Sequence, residues 1–157
     1  LILGGPNKYY DYNEKNLIKI FDKIKSILES NNLQAIIIPS MRTPEKIIDF
    51  TQNYLGENNL VIKDVDKKAY LSSLSLAKYI VVTCDSTSMI SEAALTGKPI
   101  YIAEIPAKSN DYRFRKFRDL FHKLKIIKNL NEKVEIWNYE ILDETNRIAK
   151  EIKKKIS

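Results

Sequence analysis

The sequence predicts an α/β fold with a doubly wound, mostly parallel sheet of five or six strands and helices on both faces. Short apolar, β-branched runs alternate along the chain with segments of helical periodicity. The turns after several of these runs are rich in Gly, Ser and Asp, which turn the backbone sharply or cap helices. Because 157 residues can bury one core, we expect a single domain over residues 1–157.

The clearest unit of this fold lies in the middle of the chain. An apolar run at 79–83 predicts a strand that is buried on both faces. Polar residues that can cap a helix follow it directly; these are Asp85, Ser86 and Ser88. We expect Gly97 to end that helix in a left-handed conformation, and residues 100–103 to form the next strand. A strand, a polar turn and a helix in this order place an anion-binding helix N-terminus at the edge of the sheet.

The remaining elements are predicted from the same two periodicities. Strands are expected at residues 1–3, 35–38 and 60–62. Helices are expected at residues 13–30, 44–55, 68–77, 111–124 and 140–154. Asn13 and Thr43 are the expected N-caps of the first two helices, with Pro44 at the first helical position of the second.

Small or cationic residues follow three of the predicted strands. They are Gly4 and Gly5, then Ser40 and Arg42, then Asp85, Ser86 and Ser88. The carboxyl ends of parallel strands meet at one edge of a sheet, so we expect one concave site there. Helix N–H groups, hydroxyls and an arginine suit a phosphate or diphosphate. A plain turn at the glycines and a solvated Arg42 remain alternatives.

Glu92 lies one turn into the helix that follows this polar turn. Its carboxylate could accept hydrogen bonds from both hydroxyls of a ribose. An exposed helical carboxylate is the equally simple alternative.

The composition excludes several classes of protein. There is no apolar run near the ~18 residues of a membrane span, so an integral membrane protein is excluded. The single cysteine, Cys84, cannot form an internal disulfide, which favours a reducing compartment such as the cytoplasm. His122 is the only histidine, so we expect no metal centre, no Ser-His triad and no cofactor. Gly-x-Gly-x-x-Gly and Walker-type motifs are missing from the sequence.

Positive charge is concentrated in one segment. Residues 106–128 contain eight Lys or Arg and two Asp, which accounts for the net charge of +6. One interpretation is a peripheral contact with the inner face of an anionic membrane; its candidate residues are Arg113, Arg115, Lys116 and Arg118. The alternative is an ordinary amphipathic helix with solvated cations. Nucleic-acid binding ranks last, because no motif supports it.

Three motifs carry a family resemblance. Residues 85–93 (DSTSMISEA), followed by 96–99 (TGKP), are similar to the nucleotide-sugar-binding segment of GT-B glycosyltransferases and UDP-GlcNAc 2-epimerases. Residues 3–7 (LGGPN), 42–44 (RTP) and 81–89 (VVTCDSTSM) more closely resemble the bacterial and plant mitochondrial-fission ELM-type family, regarded as glycosyltransferase-like. The resemblance extends from residue 1 to about residue 123.

The resemblance implies a Rossmann-like, donor-binding C-terminal half of a two-domain GT-B protein, with a nucleotide sugar as donor substrate. By that match Ser86, Ser88 and Met89 would lie along the diphosphate, Glu92 near the ribose, and Gly5 and Arg42 beside the phosphates. The missing N-terminal half would supply acceptor contacts and the catalytic base, so this chain alone would bind without turnover. The final helix would cross back to that half.

The first residue is Leu1, inside a predicted strand, and this also suggests a fragment of a longer protein. Two other functions stay open. The fold could serve a non-catalytic membrane-associated or protein-interaction module, or a UDP-sugar 2-epimerase-like enzyme.

Overall fold

The computed structural model describes residues 1–64 and 66–156, which form six strands and six helices. The strands are β1 (Ile2–Leu3), β2 (Ile36–Pro39), β3 (Leu60–Val61), β4 (Ile80–Thr83), β5 (Ile100–Ala103) and β6 (Ile127–Asn129). The helices are α1 (Glu14–Asn31), α2 (Glu45–Leu55), α3 (Lys67–Leu76), α4 (Thr87–Ala94), α5 (Tyr112–Lys123) and α6 (Glu144–Ile156). The predicted domain also includes Val65 and Ser157, which lie outside the described residues.

The strands form one sheet in the order β3-β2-β1-β4-β5-β6, and each neighbouring pair is parallel. Ile2 of β1 is in register with Ile38 of β2 on one side and with Val82 of β4 on the other. The strand order reverses between β1 and β4, and a doubly wound sheet binds its ligands outside the carboxyl ends at that point. The predicted Rossmann-like fold is therefore confirmed.

Chain direction distributes the helices between the two faces. From β1 to β3 the chain moves towards one edge of the sheet, and from β3 through β6 it moves towards the other. Right-handed crossovers then place α1 and α2 on one face, and α3, α4 and α5 on the opposite face. Consequently α4, which follows β4 directly, begins beside the switch point.

The core explains why these segments became strands and helices. Every residue of β5 is buried, as the continuous apolar run predicts for a strand covered on both faces. On α1 the buried residues recur at three- and four-residue steps; these are Leu17, Ile20, Phe21, Ile24 and Ile27. Asn13 caps this helix by accepting from the Asn16 N–H at 2.9 Å, as predicted.

Several boundaries differ from the prediction. Thr43 does not cap α2, because its hydroxyl donates to the Gly4 carbonyl at 2.6 Å and α2 begins after Pro44. Gly97 is left-handed as expected (φ 70°), but α4 already ends at Ala94. The sequence did not predict β6, because its short apolar run directly follows the helix expected at residues 111–124. The last helix starts at Glu144 rather than near residue 140.

Candidate functional site

Asp85 is the centre of a closed polar cluster at the carboxyl ends of β1, β2 and β4. Its side chain is fully buried. Oδ2 accepts from the Gly5 N–H at 3.1 Å and from Nη2 of Arg42 at 3.0 Å, and Oδ1 accepts from the Tyr12 hydroxyl. The Tyr12 hydroxyl also contacts Oγ1 of Thr83 at 2.7 Å, and burial raises its pKa. We call these residues, with Gly4, the Asp85 cluster.

The two glycines are required by close contacts inside this cluster. A β-carbon on Gly4 would lie 2.1 Å from Oδ2 of Asp85, and one on Gly5 would lie 2.2 Å from the Arg42 carbonyl oxygen. The Gly4 N–H donates to Oγ1 of Thr83 at 2.8 Å. The absence of side chains at Gly4 and Gly5 therefore lets the loop after β1 pack against β4 and the loop after β2.

Arg42 links two of the three loops. Nη1 donates to the Gly5 carbonyl at 2.9 Å while Nη2 binds Asp85. Its side chain is 43% exposed, so the outer part of the guanidinium faces solvent. Ser40 supports the same loop, since its hydroxyl accepts from the Arg42 N–H at 3.2 Å. The predicted residues Gly4, Gly5, Ser40, Arg42 and Asp85 do meet at one place, where they are mainly one another's partners. Their predicted role as direct ligands of a phosphate stays a prediction.

The start of α4 separates this cluster from an open cleft. Ser86 is the N-cap, and its Oγ accepts from the Met89 N–H at 3.4 Å. Met89 is half-buried against the core, whereas Ser88 is exposed. Ser88 therefore offers its hydroxyl and the first turn of α4 to solvent, on the side away from Asp85.

That cleft lies between α4 and α5 and has a volume of about 680 Å³. Its lining residues are Tyr9, Thr87, Ser88, Ser91, Glu92, Arg113, Phe114 and Phe117. Arg113 is exposed and has no charged partner among the described residues. The rings of Tyr9 and Phe114 pack at 5.2 Å between centroids and form an aromatic wall. We call this the α4–α5 cleft. It combines a helix start, hydroxyls, one unpaired cation and aromatic surface.

Glu92 lies on the ridge between two clefts. It lines the α4–α5 cleft and a second one of about 610 Å³ between α3 and α4. Tyr70, Leu71 and Leu95 line the second cleft. Burial raises the pKa of Tyr70, and the neighbouring Glu92 carboxylate adds to that shift, although no hydrogen bond joins them in the described part of the chain. The exposed Glu92 carboxylate can therefore be reached from either side.

Arg118 requires a correction to the predicted set of membrane-facing cations. It is 6% exposed, and Nη1 donates to the Cys84 carbonyl and to the Tyr10 hydroxyl, each at 3.1 Å. Its charge is paired with Asp111, 3.6 Å from Nη2, and with Glu104, 3.4 Å from Nε. Arg113, Arg115 and Lys116 are exposed. Arg118 therefore cannot lie on a membrane contact surface with them.

Other residues near the site were missed by the sequence analysis. Phe114 and Phe117 pack against the core from α5, and they also line the α4–α5 cleft. The aromatic residues Tyr9, Tyr10 and Tyr12, close after the Gly-Gly turn, were a signal that this loop packs against neighbouring elements. Tyr10 is fully buried, and its hydroxyl donates to Asp111 at 2.6 Å.

Within residues 1–64 and 66–156, no helix is both long and apolar enough to span a bilayer. The same residues contain no group of three or more His, Cys, Asp or Glu that is arranged to hold a metal ion.

Comparison with known proteins assigns the family. A family model described as Mitochondrial fission ELM1 matches residues 1–156. The chain is 32% identical over 160 residues to the uncharacterized protein RP120 of Rickettsia prowazekii, covering 98% of this chain and 45% of that protein. It is 25% identical over 160 residues to the Mitochondrial fission protein ELM1 of Arabidopsis thaliana, covering 99% and 37%. The chain thus spans less than half the length of these curated relatives.

Solved structures share the fold. S. aureus MnaA, in a structure with UDP, superposes with a TM-score of 0.59 at 15% identity, covering 96% of this chain and 35% of that one. UDP-GlcNAc 2-epimerase from Neisseria meningitidis, bound to UDP-GlcNAc, gives a TM-score of 0.55 at 13% identity, covering 98% and 44%. At such identities the likeness establishes a GT-B-like, Rossmann-like architecture.

Proposed function

This chain belongs to the Mitochondrial fission ELM1 family, and on that premise we propose that it is the nucleotide-sugar-binding domain of a glycosyltransferase-like protein. The observation that carries the proposal is the α4–α5 cleft. There the unpaired Arg113 faces the same space as the exposed first turn of α4, a helix that begins beside the topological switch point. The S. aureus and Neisseria proteins of the same fold were solved with UDP and UDP-GlcNAc, which supports a nucleoside diphosphate as the ligand.

The phosphates would be held at the start of α4. Backbone N–H groups in the first turn of a helix and the positive end of its dipole favour anions. The Ser88 hydroxyl adds a donor, and Arg113 adds a guanidinium with five N–H groups. The Asp85 carboxylate already accepts from the Gly5 N–H and from Nη2 of Arg42. We therefore propose that the diphosphate lies on the cleft side of α4.

The nucleoside would extend past Glu92. A carboxylate on that ridge can accept from both ribose hydroxyls, and the base would then enter the α3–α4 cleft beside Leu71 and Leu95. The sugar would remain between α4 and α5, where Tyr9 and Phe114 offer rings to its apolar face. One ligand would thereby fill both clefts.

A binding experiment tests the proposal. Isothermal titration calorimetry of the full-length protein with UDP, GDP, ADP and CMP should give saturable binding for one nucleotide. Ser88→Ala should weaken that binding by about fivefold to tenfold, the value of one typical hydrogen bond. Ser26→Ala, an exposed serine on α1 far from the cleft, is the matched control and should leave affinity unchanged. Absence of binding by every nucleotide would contradict the proposal.

The complete protein is proposed to transfer the sugar with groups supplied from outside this chain. The same full-length sample separates the alternatives. Release of free nucleoside diphosphate only when an acceptor is added supports a transferase. Interconversion of two UDP-sugars without acceptor supports the epimerase-like alternative, and no turnover of any sugar nucleotide supports the non-catalytic module.

A second proposal concerns the outer face of α5, and the observation that favours it is exposed apolar surface among cations. Tyr112 and Leu120 are 58% and 52% exposed, beside Lys116 and Lys123. Such a face fits an anionic bilayer surface. Lys116→Glu with Lys123→Glu should lower binding to phosphatidylcholine vesicles containing phosphatidylserine by about tenfold or more. Lys19→Glu with Lys23→Glu on α1 is the control, and equal effects of the two pairs would contradict the proposal.

A further inference from the structure

Arg118 joins three segments that are distant in sequence. From α5, its guanidinium donates through Nη1 to the Cys84 carbonyl at the end of β4 and to the Tyr10 hydroxyl in the loop after β1. Nη2 lies 3.6 Å from the Asp111 carboxylate at the start of α5. A planar guanidinium with fixed donor directions can hold three partners at once, which a lysine ammonium on a flexible stem does less well.

The same three segments carry the walls of the α4–α5 cleft. Tyr9 precedes Tyr10 directly, and Thr87 and Ser88 follow Cys84 within one short turn. Arg113 and Phe114 follow Asp111 within the first turn of α5. A displacement of any Arg118 partner would therefore move a wall of the cleft.

Stability alone gives a weak reason for this arrangement. The free-energy cost of removing a guanidinium and a carboxylate from water offsets most of their mutual attraction. A buried pair therefore adds little net stability compared with apolar side chains. Arg118 and Asp111 are 6% and 7% exposed. The exposed Arg115 pairs with the same Asp111 at 2.9 Å, so Asp111 would keep a cationic partner without Arg118. What Arg118 adds is the pair of hydrogen bonds to Cys84 and Tyr10, besides an ion pair with the exposed carboxylate of Glu104.

We infer that Arg118 is a positioning residue for the α4–α5 cleft: it fixes the first turn of α4 against α5 and the loop after β1, and so sets the affinity for a nucleoside diphosphate. The affinity part of this inference rests on the proposed function. The positional part stands on the hydrogen bonds alone.

The test compares Arg118→Lys with Arg115→Lys in the full-length protein. Both keep a cation near Asp111, but only the first removes bonds to Cys84 and Tyr10. Arg118→Lys should raise the UDP dissociation constant by about tenfold and speed amide hydrogen exchange at residues 9–10 and 86–91. Arg115→Lys should change neither. Wild-type affinity in folded Arg118→Lys would overturn the inference and leave Arg118 a structural residue.

The two proposals fail differently. If the wild type binds no nucleotide, the proposed function fails, and the exchange data still decide the positional part: faster exchange confined to 9–10 and 86–91 supports it, and a uniform change overturns it. If Arg118→Lys does not fold, Tyr10→Phe replaces it, since this variant removes only the hydroxyl shared by Arg118 and Asp111. It should weaken UDP binding by about threefold to tenfold, and an unchanged affinity with unchanged exchange overturns the inference.

Discussion

The Asp85 cluster and the α4–α5 cleft lie on opposite sides of the start of α4 and use similar residues in different ways. In the Asp85 cluster, a carboxylate, a guanidinium and a glycine N–H bind one another inside the protein. In the α4–α5 cleft, Ser88, Glu92 and Arg113 are exposed. The first arrangement stabilises three loops at the switch point. The second leaves donors and a positive charge available to a ligand. Polar residues at strand ends therefore mark a site only where the fold leaves them unpaired.

The largest effect on stability should come from Asp85→Ala. The substitution leaves the Tyr12 hydroxyl, the Gly5 N–H and part of Arg42 without their acceptor in a buried space, and we expect a loss of about 3 kcal/mol. Urea denaturation measures it, and Asp49→Ala on the exposed side of α2 should cost less than about 0.5 kcal/mol. Near-wild-type stability of Asp85→Ala would show that the cluster does not hold the loops together.

Gly4→Ala should destabilise by a smaller amount. Its β-carbon would overlap the Asp85 carboxylate at 2.1 Å, and such overpacking costs about 1–3 kcal/mol. In an Asp85→Ala background the overlap is gone, so the double mutant should be more stable than the sum of the single effects predicts. Additive effects would mean that Gly4 is needed for some reason other than Asp85.

The buried thiol of Cys84, the residue directly before Asp85, should make the free energy of unfolding depend on pH. Burial raises the pKa of its thiol to about 12 from the ordinary value of 9.0. The folded protein then keeps a proton that the unfolded chain releases, so this stabilising contribution is complete below pH 9 and is lost as the pH rises towards 12. From pH 8 to pH 10 the loss should be about 1 kcal/mol, measured by urea denaturation.

Cys84→Ala is the control for this pH series, and it should remove that part of the pH dependence. In the wild type the thiol should also react with a thiol reagent only on unfolding. Rapid labelling of the folded protein at neutral pH would contradict the burial of this region.

Substitutions in the cleft should have the smallest effect on stability. Ser88→Ala and Arg113→Gln remove exposed groups without partners in the described residues, so each should change the free energy of unfolding by less than about 0.5 kcal/mol. Urea denaturation of these two variants, in parallel with Asp85→Ala, compares the stability contributions of the cleft and the Asp85 cluster directly. A large loss in either cleft variant would mean that the residue serves the fold.

Much of the fold was readable from the sequence, because a buried parallel strand such as residues 80–83 must be a continuous apolar run. The meeting of the loops after β1, β2 and β4 also followed from strand order. The strand order did not show which side chains of these loops would pair with one another. Asp85 comes directly after a strand, and its spacing does not reveal whether the carboxylate points to solvent or towards Gly5.

The prediction that Arg118 faces a membrane was wrong, although its position on α5 indicated burial. It lies four residues after Phe114 and three before Phe121, on the apolar face of α5 rather than on its charged face. A cation at such a position must be paired with buried acceptors. Thr43 gave no comparable signal, since its hydroxyl bonds the carbonyls of Leu3 and Gly4, which are distant in sequence. The long-range partners of a polar group depend on tertiary packing, which residue spacing does not encode.

The most direct test of the account is calorimetric titration of UDP into full-length wild type, Arg113→Gln and Arg42→Gln, with the folded fraction of each checked by circular dichroism. The account predicts binding to the wild type, a loss of about tenfold in Arg113→Gln, and affinity within about threefold of wild type in folded Arg42→Gln. The reverse order, with binding abolished in Arg42→Gln and unchanged in Arg113→Gln, would place the phosphates in the Asp85 cluster and contradict it.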